Sequence, residues 1–495
     1  MSHLTAEPKS ALDSRTWHDP TAGRQESTGW TRTHTVVLVG ILLVGIALRL
    51  YSMFAFPFDQ DELYTIAESR DLFRTALQPG IEARPLYYLL QHPLLAISQS
   101  EVGMRFLPTL FGVLGVAVTA IAALRLVGPF AAVGAALFAT ISPWHLYASG
   151  TARYFSLVYL FAAVVTWRLP IALDSERPRN FLPVAVALMV GTATHPTFAI
   201  PMAGLALAVT LVGVDGKVGW HWPSRRAWMF LWGPYAAFLT VAYIALKFSG
   251  NESAIRNWSG RGLAATLRLI PAIVEWATPA VIVLAASGAI VLVVAGGVRR
   301  RIGAMAISAA VCTPVLLFGM SFYTSVYADY AVGMLPIALV AAGGALQLIA
   351  ERMRESRWLG PLLLAGVVVG GGLPSTASYL ADGSRFDYRP AFARIAREAP
   401  NDPVFTWPLA TQRQYAPALE GIELHLPRPR RDAVLEAARS GWAVISVKRQ
   451  GIAADDDGQV AAWLTERCRR VQSWERPRFD YRSYRVELWR CDSRW

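Results

Sequence analysis

Phe58-Asp59-Gln60-Asp61-Glu62-Leu63-Tyr64 follows the first long apolar run of the chain and precedes Arg84-Pro85-Leu86-Tyr87-Tyr88. Three carboxylates within four residues beside a membrane segment are costly unless they stay in water or find partners. The stretch therefore marks the mouth of a polar site at a membrane surface. The segments on either side decide which surface.

Of the 495 residues, 54% are hydrophobic and 17% charged. A soluble chain carries about 25% charged residues, so much of this one faces lipid. The net charge of +12 is explained by basic residues collected in loops on one side of a membrane. No basic stripe interleaved with exposed aromatics supports nucleic acid as a partner. Three cysteines are too few for a disulfide scaffold and lack metal-ligand spacing.

Residues 1–33 are polar and are expected to form a disordered cytoplasmic tail. They carry acids, and no small-residue cleavage site follows the apolar run, so they do not read as a signal peptide. Thr35 to Met53 is long enough to cross a bilayer once, at about 20 residues per span. Arg49, near its outer end, either snorkels to the headgroups or meets an anionic ligand. Further apolar spans lie near 104–127, 129–147, 153–172, 181–194, 196–213, 227–247, 276–297, 303–323, 328–349 and 358–374. With the first, these make about eleven transmembrane helices. Residues 86–99 carry Gln91, His92 and Pro93 and are expected to lie along the membrane surface as a helix.

This threading separates the loops by charge. One set holds Arg177 and Arg179; Lys217, Arg225 and Arg226; Arg299, Arg300 and Arg301; and Arg352, Arg354 and Arg357. The other holds the acidic loop, the turn near 148–152, the loop 248–275 and the turn Tyr323–Tyr330. The second set is poorer in Lys and Arg, so the first is expected to be cytoplasmic. The acidic loop and the C-terminal tail then face the exterior. Residues 34–374 form the membrane part, with 54–103 as its first extracytoplasmic loop. Residues 375–495 form a small α/β domain, with helices over Ala391–Glu398 and Asp432–Ser440 and strands over Val404–Trp407 and Ala443–Val447. Cys468 and Cys491 fall in this domain and are able to pair in a compartment that permits disulfides. Cys312 lies mid-span as a small core residue. Asp455-Asp456-Asp457 beside Gly458 reads as a solvated turn.

Polar residues also sit at membrane depth. His145 and Arg153-Tyr154 flank one turn, His195-Pro196 marks another, and Tyr323, Tyr327, Asp329 and Tyr330 cluster at a third. All are expected on the same side as Asp61, which makes a polar cavity. A carboxylate among aromatic neighbours suits a general base on a hydroxyl. Arginines at the membrane edge suit a phosphate, which they hold with two parallel hydrogen bonds.

The order of these pieces resembles the GT-C membrane glycosyltransferases, in particular the branch similar to protein O-mannosyltransferases and lipid A aminoarabinose transferases, a glycosyltransferase family 39-like group. Asp61-Glu62 with Tyr64 matches the family's Asp-Glu pair. Arg84-Pro85-Leu86-Tyr87-Tyr88 matches its Pro-Leu-Tyr-Tyr stretch, and Arg105-Phe106-Leu107-Pro108-Thr109 matches loosely the start of its second span. Ser142-Pro143-Trp144-His145, Ala152-Arg153-Tyr154-Phe155 and Thr194-His195-Pro196-Thr197-Phe198 follow in the same order. The likeness covers residues 34–350 and, more faintly, the tail from Asp387-Tyr388-Arg389.

The resemblance implies an α-helical polytopic GT-C fold in the cell inner (plasma) membrane, a polyprenyl-phosphate-linked sugar donor, and inverting transfer to an extracytoplasmic glycan, lipid or protein. It implies Asp61 as catalytic base with Glu62 and Asp59 as supporting carboxylates. Arg84 and then Arg153 are the candidates for the donor phosphate. Tyr64, Tyr87, His92, Tyr154, His195 and Tyr330 are expected to line the donor or acceptor cavity. No resident cofactor is implied, although Asp59, Asp61, Glu62 and His92 are residue types able to hold a divalent cation. The chain departs from the family where Asp329-Tyr330 stands in place of Arg-Tyr and where Pro196 replaces an aromatic, so what that arginine does is either lost or supplied by Arg84, Arg153 or Arg256. A transporter or flippase of a lipid-linked substrate and a catalytically inactive assembly subunit stay open as alternatives.

Overall fold

The computed structural model describes residues 30–70, 85–213, 215–248, 263–322, 326–352, 359–424, 430, 434, 440–448, 451–452, 455, 458–475 and 485–491. Outside these lie Arg84, Arg256, Tyr323, Arg354, Arg357, Asp456 and Asp457. So do nearly all of the N-terminal tail and most of the helix expected over Asp432–Ser440.

The elements that position the site are α1 (Arg32–Ala55), α2 (Gln60–Arg70), α3 (Pro85–Ile97), α4 (Phe106–Leu126), α5 (Pro129–Ile141), α6 (Pro143–Gly150), α7 (Phe155–Ser175), α8 (Pro178–Thr194), α9 (Gly297–Ser321), α10 (Leu335–Arg352), α11 (Leu373–Asp382) and α12 (Leu409–Tyr415). Helix α1 begins where the Thr31 hydroxyl accepts the His34 N–H and the His34 ring takes the Thr31 N–H, a reciprocal cap that satisfies two otherwise orphaned donors. It ends at Phe56-Pro57, because proline cannot continue a helix.

Among the described residues, six helices are long and apolar enough to cross a membrane: α1, α4, α7, α9, Ala328–Arg352 and Pro361–Asp382. Two bent pairs, α5 with α6 (60°) and Leu269–Ala277 with Pro279–Ala295 (92°), bring the number to eight. Each break falls at a proline, Pro143 or Pro279. The remainder of the expected eleven corresponds to α8, Pro196–Leu211 and Gly233–Phe248. The first two are shorter than the roughly 20 residues of a straight crossing, whereas Gly233–Phe248 continues without a break from Arg225–Ala227 and the π-helical turn Trp228–Trp232. The chain is a multi-pass membrane protein. Helix α4 packs along α7 and α5, and α1 lies against α5, around a core rich in alanine and glycine that lets backbones approach closely.

The charged loops segregate at the two ends of these helices. Arg301 pairs with Asp174 at 2.8 Å, Arg299 pairs with Glu351 at 2.6 Å, and Arg300 donates to the Gly216 carbonyl at 3.0 Å. One end of the bundle therefore gathers the basic turns. Helix α7 runs from that end, at Ser175, to Phe155 beside Arg153, so the acidic loop occupies the opposite end.

After α11 the chain forms a six-stranded sheet in the order β2-β1-β3-β6-β5, with β4 on β3. The strands are β1 (Val404–Thr406), β2 (Gly421–Glu423), β3 (Gly441–Lys448), β4 (Gly451–Ile452), β5 (Cys468–Glu475) and β6 (Arg485–Cys491). Strands β2, β1 and β3 are parallel, while β6, β5 and β4 pair antiparallel. Cys468 and Cys491 form a disulfide. Asp455 does more than sit in a solvated turn: its carboxylate accepts the Val460 and Ala461 N–H groups at 2.9 and 2.8 Å and so caps the helix Gln459–Arg467.

Arg49 does not snorkel. It is fully buried and donates to the Gly45 and Ala139 carbonyls and to Nδ1 of His145, at 2.9, 3.3 and 2.5 Å. His145 is therefore committed to α1 inside the bundle and does not join the acidic loop.

Candidate active site

The acidic stretch is the first turn of α2. Asp59 precedes the helix, and its N–H donates to Glu62 Oε2 at 2.8 Å, while its carbonyl accepts the N–H groups of Glu62 and Leu63. This is the glutamate half of a capping box, a local reason for the Asp-x-x-Glu spacing. Asp61 and Glu62 in the first turn also face the positive end of the helix dipole.

The three carboxylates separate into different environments. Glu62 is fully buried. Arg105, at the start of α4, grips it with a fork, Nε to Oε1 and Nη2 to Oε2, both at 2.8 Å. The Ala152 N–H donates to Oε1 at 2.6 Å, and Arg385 stands 3.5 Å from Oε2. Arg105 also donates to the carbonyls of Phe56 and Pro57 at 2.7 and 2.6 Å, pairing two buried acceptors just past the end of α1. Burial pushes the Glu62 carboxyl up, but Arg105, Arg385 and the Ala152 N–H outweigh it and hold the group down at about 2. With both oxygens engaged, Glu62 fastens α2 to the bundle.

Arg385 comes from the segment after α11 and is a residue beside the acidic stretch that the sequence did not single out. It donates to the Gly150 carbonyl at 3.0 Å and the Thr151 hydroxyl at 2.7 Å, and it lies over the Phe56 ring at 5.4 Å. The turn that delivers it needs Gly383, whose φ is +67° and where a Cβ would stand 2.4 Å from the Phe56 ring. A buried cation just beyond the last span is the partner that the excess of carboxylates required, yet nothing local distinguishes it from the other arginines of the tail.

Asp59 is half-buried, and its Oδ1 accepts the Gln60 N–H at 2.8 Å. Burial, with Asp61 and Glu62 nearby, pushes its carboxyl up from 3.8 to about 6 despite Arg385. A carboxyl raised by folding costs stability, and the cost grows as pH rises from about 4 through 6. Asp59→Asn is therefore expected to raise the thermal midpoint at pH 8 and to leave it unchanged at pH 4. Equal shifts at both values would show that the carboxylate charge is not the cause.

Asp61 is the exposed member, with 57% of its side chain open, and its Oδ2 lies 2.9 Å from Nη1 of Arg153, which is only 9% exposed. The Arg153 guanidinium rests 5.2 Å from the Tyr154 ring centre and 5.5 Å from that of Phe155. Tyr154 stacks on His195 with centroids 4.3 Å apart and planes 7° apart, and His195 meets Tyr330 at 5.2 Å. Tyr87 packs edge-on to Tyr154 at 6.4 Å. Five residues singled out by the sequence thus form one row: Asp61, Arg153, Tyr154, His195 and Tyr330. Nε of Arg153 and the Tyr87 hydroxyl are buried there without a hydrogen-bond partner. Burial pushes the Tyr87 phenol well above its ordinary value, so it stays an O–H donor.

The other expected residues lie apart from this row or at its edge. His92 uses Nδ1 on the Ser69 carbonyl at 2.7 Å, two helical turns from Asp61. Tyr64 is 42% exposed on the same face of α2 as Asp61, with Gln60 Nε2 donating to its hydroxyl at 3.4 Å. The sheet region also reaches the loop, because the Phe58 N–H donates to the Tyr415 hydroxyl at 2.6 Å and that hydroxyl donates to Glu101 at 3.1 Å. Among the described residues, no three His, Cys, Asp or Glu side chains converge as metal ligands. With both Glu62 oxygens engaged and His92 turned to Ser69, the acidic stretch and His92 do not fit a divalent cation.

No protein-family model matches the sequence, and no curated protein does either. Solved structures do match in fold. ArnT from Cupriavidus metallidurans in the apo state is similar over 92% of this chain and 98% of its own, at 16% identity and a TM-score of 0.50. The oligosaccharyltransferase of Archaeoglobus fulgidus, in complex with Zn and sulfate, is similar over 87% of this chain and 69% of its own, at 12% identity and a TM-score of 0.54. The same organism's AglB, in complex with an inhibitory peptide and a dolichol-phosphate, is similar over 83% and 69%, at 13% identity and a TM-score of 0.50. The helical membrane bundle with its small C-terminal sheet, matched by these structures over most of its length, has the GT-C fold.

Proposed function

We propose that the protein is an inverting glycosyltransferase of the cell inner membrane. It moves a sugar from a polyprenyl-phosphate donor to an extracytoplasmic acceptor, which is an envelope glycan, a lipid or a protein. The observation that carries this is the Asp61–Arg153 pair, an exposed base beside a buried phosphate-gripping cation, set in an aromatic wall at the end of the bundle away from the basic loops. That polarity supports an exterior site and a cytoplasmic N-terminus. AglB, which shares the fold, binds a dolichol-phosphate and a peptide, the two ligand classes that such a site would bring together.

Asp61 takes the proton of the acceptor hydroxyl as its oxygen attacks the anomeric carbon. The bond from that carbon to the phosphate oxygen breaks, the electron pair leaves on the phosphate, and the anomeric centre inverts. Arg153, with Tyr87 as a further donor, stabilises the departing charge in a largely buried setting. Glu62 and Arg105 fix the turn that carries Asp61, and Tyr154, His195 and Tyr330 form the wall against which the sugar or lipid head lies.

Arg153→Ala is expected to lower kcat/KM for a polyprenyl-phosphate-linked sugar about 10- to 100-fold, the range for a lost charge-assisted contact. The change is read in proteoliposomes supplied with a panel of such donors and an envelope extract as acceptor. If the wild-type protein transferred none of the donor sugars, the proposal would be overturned.

A further inference from the structure

Arg153 has two anionic clients in the proposed reaction and one guanidinium to serve them. In this structure Nη1 is engaged by Asp61 at 2.9 Å, Nη2 lies 3.4 Å from the Tyr154 hydroxyl, and Nε is buried without a partner. A phosphate held by two parallel N–H bonds either takes the edge that Asp61 now occupies or takes the Nε edge and sits against the same carboxylate. In both cases two anions share one cation, and their repulsion favours release of one. Arg153 is 9% exposed and wedged against the Tyr154 and Phe155 rings, whereas Asp61 is 57% exposed at the solvent face of α2. The carboxylate is the partner free to move.

We infer that Asp61 is a latch as well as a base: donor phosphate binding on Arg153 displaces Asp61, and only then is its carboxylate free to take the acceptor's proton. This rests on the glycosyltransferase reading and adds a compulsory order to it, donor before acceptor. It also gives the row a safeguard, because without a donor the base stays tied to Arg153 and does not act on water or on a free acceptor. The Tyr87 hydroxyl, buried beside the row without a partner, is a donor that the arriving phosphate can meet and the carboxylate does not use.

The test is binding, not turnover. The full-length protein in nanodiscs is titrated with undecaprenyl phosphate, which lacks the sugar and cannot react. Asp61→Asn removes the competing charge with almost no change of shape. The latch predicts that this variant binds the lipid phosphate about two- to fivefold more tightly than the wild type, in line with a partly exposed ion pair. In an Arg153→Lys background, where the fork is gone but a charge remains, binding weakens and the gain from Asp61→Asn shrinks.

Unchanged or weaker binding by Asp61→Asn, with Arg153→Lys still impaired, overturns the latch and leaves the donor site standing. Undecaprenyl phosphate that fails to bind the wild-type protein, while a folded monodisperse sample is verified, overturns both. Steady-state kinetics give an independent check. The latch predicts ordered addition with the donor first, and random addition contradicts it.

Discussion

Replacing Asp61 by Asn is expected to lower sugar transfer at least about 10³-fold while leaving the protein folded and inserted, a loss within the usual worth of a positioned general base. The side chain is 57% exposed and pairs with Arg153, so its contribution to stability is that of a partly solvated ion pair, about 1 kcal/mol or less. Asparagine keeps the shape and the first turn of α2 but cannot accept the acceptor's proton. Rate and stability therefore part company at this position. Transfer measured in proteoliposomes beside a thermal melt of the same preparation reads both. An Asn variant that keeps the wild-type rate would remove Asp61 from the role of base and move attention to Asp59. The neighbouring carboxyl makes a useful control because its altered environment is different in kind: burial and its acidic neighbours raise it to about 6.

The same stretch shows what could be read from sequence and what could not. Asp61, Arg153, Tyr154, His195 and Tyr330 come from four separate segments, and the structure sets them in one row. Sequence groups them because each lies at a turn between apolar spans, and alternate turns share a side of the membrane. The GT-C fold was implied by the resemblance of the motifs in their order, and the small C-terminal α/β domain by the strand and helix patterning after residue 375. Side-chain assignment within a turn did not follow. Nothing in Asp59-Gln60-Asp61-Glu62 says which carboxylate turns inward, since that depends on Arg105 and Arg385 approaching from below. His145 and His195 look alike in sequence, each within two residues of a proline at a break between helices. The first is claimed by Arg49 inside the bundle and the second by the stack with Tyr154. Strand β5 left little trace in the sequence because it is a largely exposed edge strand without apolar alternation.

Glu62→Gln carries the largest expected cost to the fold. The change removes a charge and almost no volume, yet it takes from the Arg105 and Arg385 guanidiniums, both fully buried, the carboxylate they share, and leaves Arg385 only the more distant Asp59. Breaking a buried pair from one side costs about 3–5 kcal/mol, because the surviving ion keeps its desolvation penalty and loses its compensation. Here two ions survive. The carbonyls of Phe56, Pro57 and Gly150, which already accept from these arginines, recover part of the loss, so the lower part of that range is expected. Removing the cation as well tests this account. In Glu62→Gln with Arg105→Met the loss should be smaller than the sum of the two single losses, the signature of a coupled pair. Simple additivity, read from unfolding of the detergent-solubilised protein, would mean that the two side chains act independently. The sign with pH follows from the depressed carboxyl. Held at about 2 in the fold against an ordinary 4.5, Glu62 contributes its stabilisation fully above about pH 4.5 and loses it only as the pH falls toward 2. The wild-type and Gln proteins should therefore converge in acid, while between pH 5 and pH 8 their gap changes only through Asp59, whose carboxyl Glu62 helps to raise. A gap that narrowed between pH 6 and 8 would have to come from Asp59 or a histidine, and the anchoring role of Glu62 would not explain it.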